Sequence, residues 1–404
     1  MRRTGFRCDE DFYPARIRRG EGMGPFPRRL RISDRPRGGR LQGVERMSRY
    51  LLIDVGAGTM DVLYFDDDSG VQYKSVARSP VLYTAESIAG IPGNLLVTGK
   101  EMGGGPVTDI LKRRAREARV VMSVSAARTL SHDMGKVRSW GIVVVEDEEA
   151  EAMRNDELYH AVSIGDLDME RLKSIVAGFG VDFSFDIAGI CAQDHGMPPS
   201  GVSHLDYRHS IMKLKLDECP FPHVLLHDRD EVPPTLNRLK SIADSARGIP
   251  AAEVYVMDSG MAAVLGASMD IHALGKNRIL VLDIATSHTV GAALDRGEIA
   301  GVFEYHTRDI SLPRLEQLLR DMADGRLDHE QILREGGHGA YLRRPFGYDS
   351  VEVIVATGPK RALVRESNLP VKYGAPLGDN MMTGTVGLLE AIRRRKGIGP
   401  TWYV

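Results

Sequence analysis

A pattern of three short strands occurs twice in this chain, and the duplication constrains the fold more than any other feature. In the first copy an apolar strand ends at Asp54, a Gly-rich turn follows, and the second strand closes at Asp66. In the second copy Asp283 and Asp295 hold these positions, with the same separation of twelve residues and a period of 229 residues. Strands joined by tight Gly/Asp turns form antiparallel meanders. A period this long indicates a duplicated domain rather than a solenoid.

Apolar periodicity predicts that helices and further strands follow each meander, which is typical of the α/β class. The strands are expected at 50–54, 59–65, 71–76, 141–145, 183–191, 253–257, 278–283, 288–294, 299–305 and 351–356. The helices are expected at 106–131, 148–162, 166–178, 234–247, 261–268, 312–324, 328–335 and 384–395. Asp166 is the expected cap of the third helix. Residues 196–234 are rich in Pro, His and Asp without periodicity, so we expect an irregular segment there.

Residues 1–47 differ in composition from the rest of the chain. Residues 1–46 contain thirteen Arg, no Lys and six acidic side chains, a charge of +7 within a total of −2. The stretch is rich in Gly and Pro without regular apolar spacing, so it is predicted to be disordered. Three interpretations compete: a wrongly assigned start upstream of Met47, which we favour, an unstructured basic arm, and a nucleic-acid contact. No apolar signal core is present.

The three cysteines and the apolar runs indicate the compartment. Cys8, Cys191 and Cys219 form no CxxC pair, so no zinc site is predicted. No apolar run reaches the length of roughly 18 residues that crosses a bilayer. We therefore expect a cytoplasmic protein without a membrane partner, and the small net charge makes a nucleic-acid partner improbable.

The first turn, residues 54–61 (DVGAGTMD), has the residue types of a phosphate-binding hairpin. Gly56 and Gly58 permit positive φ and let backbone N–H groups approach a phosphate closely. Thr59 can donate its hydroxyl to a phosphate oxygen. Asp54 can hold magnesium through its waters, because this hard cation prefers oxygen ligands. An ordinary hairpin with a solvated Asp is the alternative.

The second turn begins at Asp283 and lacks both glycines, which leaves its backbone less freedom to enclose a phosphate. The hydroxyls of Thr286, Ser287 and Thr289 can compensate as phosphate ligands. His288 can contact a phosphate or a substrate, and a structural role within the hairpin is equally compatible with the sequence. Asp283 is the second candidate ligand for magnesium.

A third segment, residues 353–361 (VIVATGPKR), is a predicted strand that runs through a Gly-Pro turn into a helix start. Backbone N–H groups at a helix start favour anions. Gly358 and Pro359 would allow an adenine to approach closely, with Lys360 near the ribose or base. An ordinary strand–turn–helix connection is the alternative.

These three segments, in this order, resemble the phosphate-1, phosphate-2 and adenosine motifs of the actin, hsp70 and sugar-kinase superfamily. Residues 193–196 (QDHG), 258–263 (DSGMAA), 303–307 (FEYHT) and 378–380 (GDN) are similar to an uncharacterised family often labelled pyruvate formate-lyase-activating-like. The resemblance spans nearly all of 48–395. It implies a duplicated actin-like (ribonuclease H-like) two-lobed α/β fold, with ATP and Mg²⁺ in the cleft between an N-terminal lobe at 48–250 and a C-terminal lobe at 251–404.

The order of motifs also resembles the carbohydrate-kinase branch, in which a Gln-x-His-Gly segment precedes substrate-binding residues. This resemblance implies substrate contacts from Gln193, Asp194 and His195, and a catalytic Asp258 that acts as general base toward an acceptor hydroxyl. Asp258 as the cap of the helix at 261–268 is the alternative. Asp61, the last residue of the first motif, is the second catalytic candidate.

Glu304 and His306 lie two residues apart, so both side chains point to one face of their strand. A shared substrate site is one possibility, and a salt-bridged rim is the other.

The leading functional hypothesis is an ATP-dependent phosphotransferase that acts on a small hydroxylated or carboxylated metabolite. The alternatives are an ATP-hydrolysing switch or activator that docks on a partner enzyme, and a nucleotide-binding scaffold without turnover. A radical iron–sulfur enzyme needs three clustered cysteines, and the cysteine spacing of this chain does not supply them.

Overall fold

Both predicted meanders are present in the computed structural model, which describes residues 48–198, 203–399, 401 and 403. The prediction for residues 1–47 falls outside the described part of the chain. The first meander consists of three antiparallel strands, which are β1 (Arg49–Val55), β2 (Thr59–Asp66) and β3 (Gln72–Arg78). Asp54 on β1 lies opposite Asp61 on β2. The apolar residues of β1 and β2 are almost entirely buried, as expected for strands with helices on both faces.

Residues 80–178 form an inserted unit with its own parallel sheet, in the strand order β6-β5-β4-β7. In chain order its elements are α1 (Pro80–Gly90), β4 (Leu95–Gly99), α2 (Pro106–Glu117), β5 (Val120–Ser123), α3 (Val124–Ala127), α4 (Met134–Ser139), β6 (Val143–Val145), α5 (Asp147–Ala152), β7 (His160–Ile164) and α6 (Met169–Gly178).

The inserted sheet corrects two predicted helices, 106–131 and 148–162. The first ends at Glu117 and gives way to the buried strand β5, and the second ends at Ala152 before β7. Short apolar runs are ambiguous between strand and helix by periodicity alone. Asp168 rather than Asp166 caps α6, because its carboxylate accepts two backbone N–H groups of the first turn of that helix.

The chain then returns to the first sheet. The elements are β8 (Phe185–Ala192), α7 (His204–Glu218), β9 (Leu226–Asp228), α8 (Asn237–Ser245), β10 (Ala251–Asp258) and α9 (Ser259–Ser268). The sheet has the order β3-β2-β1-β8-β10-β9, with β1, β8 and β10 parallel. The segment predicted to be irregular, 196–234, therefore contains the helix α7. Because β10 pairs with β8, the first sheet extends beyond residue 250, the end predicted for the N-terminal lobe.

The second meander starts a second sheet of six strands, in the order β14-β13-β12-β11-β15-β16. Its elements are β11 (Arg278–Ile284), β12 (His288–Asp295), β13 (Glu298–His306), α10 (Leu312–Asp324), α11 (His329–Arg334), β14 (Gly339–Leu342), β15 (Val353–Thr357), β16 (Val371–Tyr373) and α12 (Thr383–Lys396). β11 is antiparallel to β12 and parallel to β15, as β1 is to β2 and β8. The predicted duplicated α/β fold of the actin-like type is therefore confirmed.

α9 and α12 pack between the two sheets and join them through one apolar core. The helices cross at glycines: a Cβ at Gly266 would overlap the carbonyl oxygen of Thr383, and one at Gly387 would overlap that of Ala262. This close approach brings the N-terminal end of α12 to the turn after β1. In the part of the chain that the structure describes, no helix combines the length and apolarity of a membrane span.

Candidate functional site

The turns after β1 and β11 line a single cavity of about 690 Å³ between the two sheets. The two turns close in the same way. The N–H of Gly56 donates to the carbonyl of Thr59 at 3.0 Å, and the N–H of Ala285 donates to that of His288 at 3.0 Å. The glycines of the first copy are therefore not required for this turn geometry.

Close contact, rather than backbone conformation, explains Gly58. Neither Gly56 nor Gly58 has a positive φ, so that part of the role expected for them is wrong, while close approach of their N–H groups to a phosphate stays a prediction. A Cβ atom at Gly58 would instead lie 2.6 Å from Oγ1 of Thr286. Glycine is needed there because the two turns touch each other across the cavity.

Three of the carboxylates that line the cavity come from the duplicated meanders: Asp54 and Asp61 from the first copy and Asp283 from the second. Burial raises the pKa of Asp54 to about 7, and the neighbouring charge of Asp283 adds to this effect. Burial also raises the pKa of Asp61 to about 8 and that of Asp283 to about 6. The buried Oδ1 of Asp61 has no hydrogen-bond partner among the described residues. Burying an ionised carboxylate raises the free energy of the folded state unless a cation neutralises the charge.

Backbone donors of both turns are available to a ligand in the cavity. Among the described residues, the N–H groups of Ala57, Gly58, Thr286 and Ser287 donate to no other protein group. All four residues line the cavity, and Thr59 and His288 complete the two turns. The donors suit an anion, and the three carboxylates suit a cation beside it.

Thr289 is not part of the cavity wall. Its side chain is fully buried, and Oγ1 lies 3.0 Å from Oγ1 of Thr307. The predicted contact between Thr289 and a phosphate therefore has no support in this geometry, because the hydroxyl is used inside the protein.

The third predicted segment reaches the same cavity through Gly358 and Pro359. Gly358 has a φ of 86°, and a Cβ there would lie 2.6 Å from the carbonyl oxygen of Ile284, so only glycine fits. Lys360 is exposed and does not line the cavity, while its backbone N–H donates to the carbonyl of Ile284 at 2.9 Å. Asn380 donates to the carbonyl of Gly358 at 3.1 Å.

Asp258 is held by two interactions outside the large cavity. Oδ1 accepts the N–H of Met261 at 3.1 Å, which makes Asp258 the N-cap of α9. Oδ2 accepts from Nη1 of Arg208 at 2.6 Å. Both oxygens are therefore occupied, and the alternative interpretation of Asp258 as a helix cap agrees with the structure.

The segment after β8 places its predicted residues in different environments. Asp194 is buried, and its carboxylate accepts the N–H groups of Gly196 and Leu239 at 2.7 and 2.9 Å, which gives it a structural role. Gln193, Asp194 and His195 all line the cavity, but the Asp194 carboxylate is already used by these two backbone groups. Burial lowers the pKa of His195 to about 3, so its imidazole is neutral at pH 7.

Glu304 connects the two sheets. Its carboxylate accepts from Nη2 of Arg208 at 3.2 Å and from the amide of Gln193. Although burial opposes it, the charge of Arg208 holds the pKa of Glu304 well below its usual range. His306 does not line the cavity, and it lies beside His338, with their Nε2 atoms 3.1 Å apart.

Several cavity residues were missed because the sequence prediction had no inserted sheet. Gly103 to Gly105 precede α2, whose N-terminus has no side-chain cap, and Arg128 and Lys136 contribute further positive charge to the same wall. The run at residues 103–106 (GGGP), three glycines before a proline, is a signal that could have revealed this helix start. Gly384 was also missed, and a Cβ there would overlap the carboxylate of Asp54.

Comparison with solved structures returned distant likenesses that cover most of the chain. MreB5 of Spiroplasma citri bound to ADP is 13% identical over 86% of this chain and 98% of its own, with a TM-score of 0.33. Component A of the (R)-2-hydroxyglutaryl-CoA dehydratase of Acidaminococcus fermentans is 13% identical over 86% and 98%, with a TM-score of 0.28. The ROK hexokinase of Thermus thermophilus is 12% identical over 85% and 98%, with a TM-score of 0.28. Scores this low say nothing about function.

Among curated proteins, none matches this sequence. A family model described as "Putative pyruvate format-lyase activating enzyme (DUF1786)" matches residues 102–363, which is more than half of the chain. The match extends from the inserted sheet through the second turn to the segment after Gly358. The chain therefore belongs to this family.

Proposed function

We propose that this protein binds ATP with Mg²⁺ in the cavity between its two six-stranded sheets and transfers the terminal phosphate to a hydroxyl group of a small carboxylated acceptor. The observation that carries the proposal is the convergence of both duplicated turns on one cavity, with Asp54 and Asp283 in its wall. If the first turn were only an ordinary hairpin with a solvated Asp, there would be no reason for the second turn to lie opposite it in the same cavity.

The carboxylates fit a hydrated magnesium ion. Asp54 and Asp283 supply hard oxygen ligands, and burial raises the pKa of both carboxyls, an effect that a bound cation would offset. A bound Mg²⁺ would supply charge neutralisation to the phosphates. The free N–H groups of the two turns would orient the phosphate oxygens, and Gly358 and Pro359 would give the nucleobase a surface free of side chains.

The inserted sheet supports an anionic acceptor. The N-terminus of α2 after Gly105 lies at the cavity wall without a side-chain cap, and Arg128 and Lys136 add two positive charges to the same side of the cavity. N–H groups at a helix start and basic side chains together favour a carboxylate. This wall lies in the cavity that the two turns line, so an acceptor and a triphosphate would occupy one space.

Asp61 is better placed than Asp258 to accept the proton of an acceptor hydroxyl. Asp61 faces the cavity with one unpartnered oxygen, and burial raises its pKa to about 8, close to the range useful for a general base. Asp258 would have to release both Arg208 and the backbone of α9 first. In this proposal Asp258 positions Arg208 and stabilises the helix.

Radical iron–sulfur chemistry is not proposed, despite the family's description. The chain has three cysteines, and no sequence motif groups them. Cys191 is fully buried, and burial together with the Asp54 carboxylate raises the pKa of its thiol. A buried thiol of this kind is a poor cluster ligand or redox group.

Calorimetry and a phosphate-release assay test the proposal. The wild-type chain should bind ATP only with Mg²⁺, and turnover should rise when the matching member of a panel of hydroxy-carboxylic acids is added. Asp54→Asn and Asp283→Asn should abolish Mg²⁺-dependent binding. Asp68→Asn, a matched change in the exposed β2–β3 turn, should leave it unchanged. Binding of ATP that survives both cavity substitutions would contradict the proposal.

A second candidate, an ATP-driven switch that acts on a partner enzyme, is favoured by the contacts between the sheets. Gln193 and Arg208 both bond to Glu304 on β13, so a change in the distance between the lobes must break these bonds. This candidate predicts slow turnover that a protein stimulates and that no metabolite stimulates. Limited proteolysis with and without ATP would report the lobe movement.

A further inference from the structure

A cluster of four imidazoles lies beside the second turn and is not used by the proposed nucleotide site. It consists of His195, His288, His306 and His338, and we call it the histidine cluster. The ring centroids of His288 and His338 are 4.7 Å apart, and those of His306 and His338 are 4.4 Å apart. The ring of His195 lies 5.8 Å from that of His338 and 6.1 Å from that of His288.

Three members of the cluster have the geometry of a metal site. His195, His288 and His338 each offer one ring nitrogen, and these three nitrogens all lie within 4.8 Å of one another. Around a zinc ion with nitrogen ligands at about 2.0–2.1 Å, tetrahedral nitrogens stand about 3.3 Å apart. Small side-chain rotations therefore suffice to bring the three nitrogens to a common ion.

The three imidazoles come from separate, well-anchored elements. His195 follows β8, His288 begins β12, and His338 precedes β14. His288 lies opposite His306 in the β12–β13 pair, which fixes both rings relative to the sheet. One ligand within a strand and two next to strand ends suit a preorganised site better than ligands from one loop would.

One ring nitrogen in the cluster lacks a partner that a metal would supply. Nε2 of His288 is buried and has no hydrogen-bond partner among the described residues. Nδ1 of His338 faces Oε1 of Glu304 at 3.4 Å, so Nε2, which lies 3.1 Å from Nε2 of His306, is the nitrogen of His338 that can turn to a metal. Buried polar atoms without partners are rare in folded proteins and are explained by an unseen ion or water in many cases.

Glu304 supplies the kind of second contact that metal-binding histidines have. A carboxylate beside the ring of a histidine ligand orients it and strengthens its basicity. Glu304 is in turn held by Arg208 and Gln193, so its position is fixed from two sides. His195, His288 and Glu304 also line the large cavity, so a coordination position at this site can face a ligand there.

We propose that His195, His288 and His338 bind one divalent transition-metal ion of the zinc type, with an open coordination position toward the cavity. Neutral imidazoles suit Zn²⁺, Co²⁺ and similar ions, whereas Mg²⁺ prefers the oxygen ligands around Asp54. Three protein ligands with one open position are typical of sites at which the metal polarises a bound oxygen. The inference does not depend on nucleotide binding, because no residue of the three-histidine set is needed to hold the phosphates.

Metal titration of the full chain, stripped with a chelator and kept free of nucleotide, tests this inference. Addition of Co²⁺ should give one equivalent of binding and the intense visible absorption of a four- or five-coordinate ion. Zn²⁺ should displace it. His288→Ala and His338→Ala should each weaken Zn²⁺ binding by at least about 100-fold. His160→Ala, which removes an exposed histidine of β7, should leave the affinity unchanged.

Circular dichroism and the thermal midpoint separate loss of metal from loss of fold. His288→Gln provides a polar replacement if the alanine variant does not fold. Asp54→Asn should keep the cobalt spectrum, which distinguishes this site from the carboxylate site. The inference is wrong if the wild-type chain binds no stoichiometric metal, or if one equivalent still binds with wild-type affinity in folded His288 and His338 variants. In that case the four imidazoles form a hydrogen-bonded network only.

Discussion

Gly58 of the first turn lies directly against Thr286 of the second, so that a Cβ atom on Gly58 would stand 2.6 Å from Oγ1 of Thr286. The two duplicated turns thus meet at one point, and the smallest residue is present where they meet. Thr286 is exposed toward the cavity, and its hydroxyl and the backbone of Gly58 face the same space. The distance between the turns is therefore sensitive to one methyl group.

Gly58→Ala should weaken ATP binding because the added methyl group separates the turns. Forcing a methyl group into such a contact costs about 1–3 kcal/mol, which corresponds to an affinity loss of about 5- to 150-fold. Gly90→Ala is the matched control, because a Cβ there has no neighbour within 4 Å. Calorimetric titration with ATP and Mg²⁺ measures both variants. Equal affinities would show that the turns do not close on a shared ligand.

Asp54→Asn should stabilise the free protein at alkaline pH while it removes Mg²⁺-dependent binding. The pKa of Asp54 is about 7 in the fold against an ordinary value of 3.8, so the folded state holds a proton that the unfolded chain has lost. Stability from this group is present at low pH and is lost as the pH rises toward 7. Asparagine avoids that loss, which these two pKa values place on the order of 4 kcal/mol at pH 8.

Thermal unfolding at pH 5 and pH 8 checks this expectation. The gain in stability of the variant over wild type should be clearly larger at pH 8 than at pH 5. Asp68→Asn should behave as wild type at both values. If Asp54→Asn is less stable than wild type at pH 8, the carboxylate is stabilised by the fold and does not need a cation.

The duplicated meander was predictable because its signals are local. Short continuous apolar runs and tight turns determine β1, β2, β11 and β12, and their observed bounds lie within one residue of the predicted ones. The inserted sheet was not predictable in the same way. Its strand β5 has only four residues, and two residues separate it from the end of α2. The apolar spacing of the helix therefore continues through the strand without a visible break in the sequence.

The site was predictable where one segment carries several of its residues. Asp54, Gly58 and Thr59 lie within six positions, and they reach the cavity as expected. The histidine cluster draws its members from four separate segments, and His338 has no neighbouring residue that suggests a site. Such a set exists only after the sheets pack, so sequence spacing alone does not reveal it. The hydrogen bond from Arg208 to Asp258 could not be predicted for the same reason, because the two residues are fifty positions apart in the sequence.

The burial of His227 should make the protein less stable in mild acid. Burial lowers the pKa of His227 to about 4, and the charges of Lys215 and Arg395 act in the same direction. The unfolded chain takes up the proton near pH 6.5 and the folded chain does not, so stability falls as the pH drops below 6.5. For His227→Gln this loss should be smaller by about 1–2 kcal/mol at pH 5. Urea unfolding at pH 7 and pH 5 measures it, and parallel losses in both proteins would contradict the assignment.

Asp61→Asn and Asp258→Asn should separate chemistry from structure. Loss of a general base lowers turnover by about 10²- to 10⁴-fold, so Asp61→Asn should reduce phosphate transfer by that factor while ATP still binds. Asp258→Asn keeps a residue able to cap α9 but removes one of the two carboxylates beside Arg208, which keeps Glu304 and the carbonyl of Asp194. Loss of one partner of a buried ion pair costs up to about 3–5 kcal/mol. This variant should therefore show a lower thermal midpoint and a much smaller loss of turnover per folded molecule. The opposite result, an inactive Asp258→Asn variant with wild-type stability, would show that Asp258 is the general base and that Asp61 does not accept the proton.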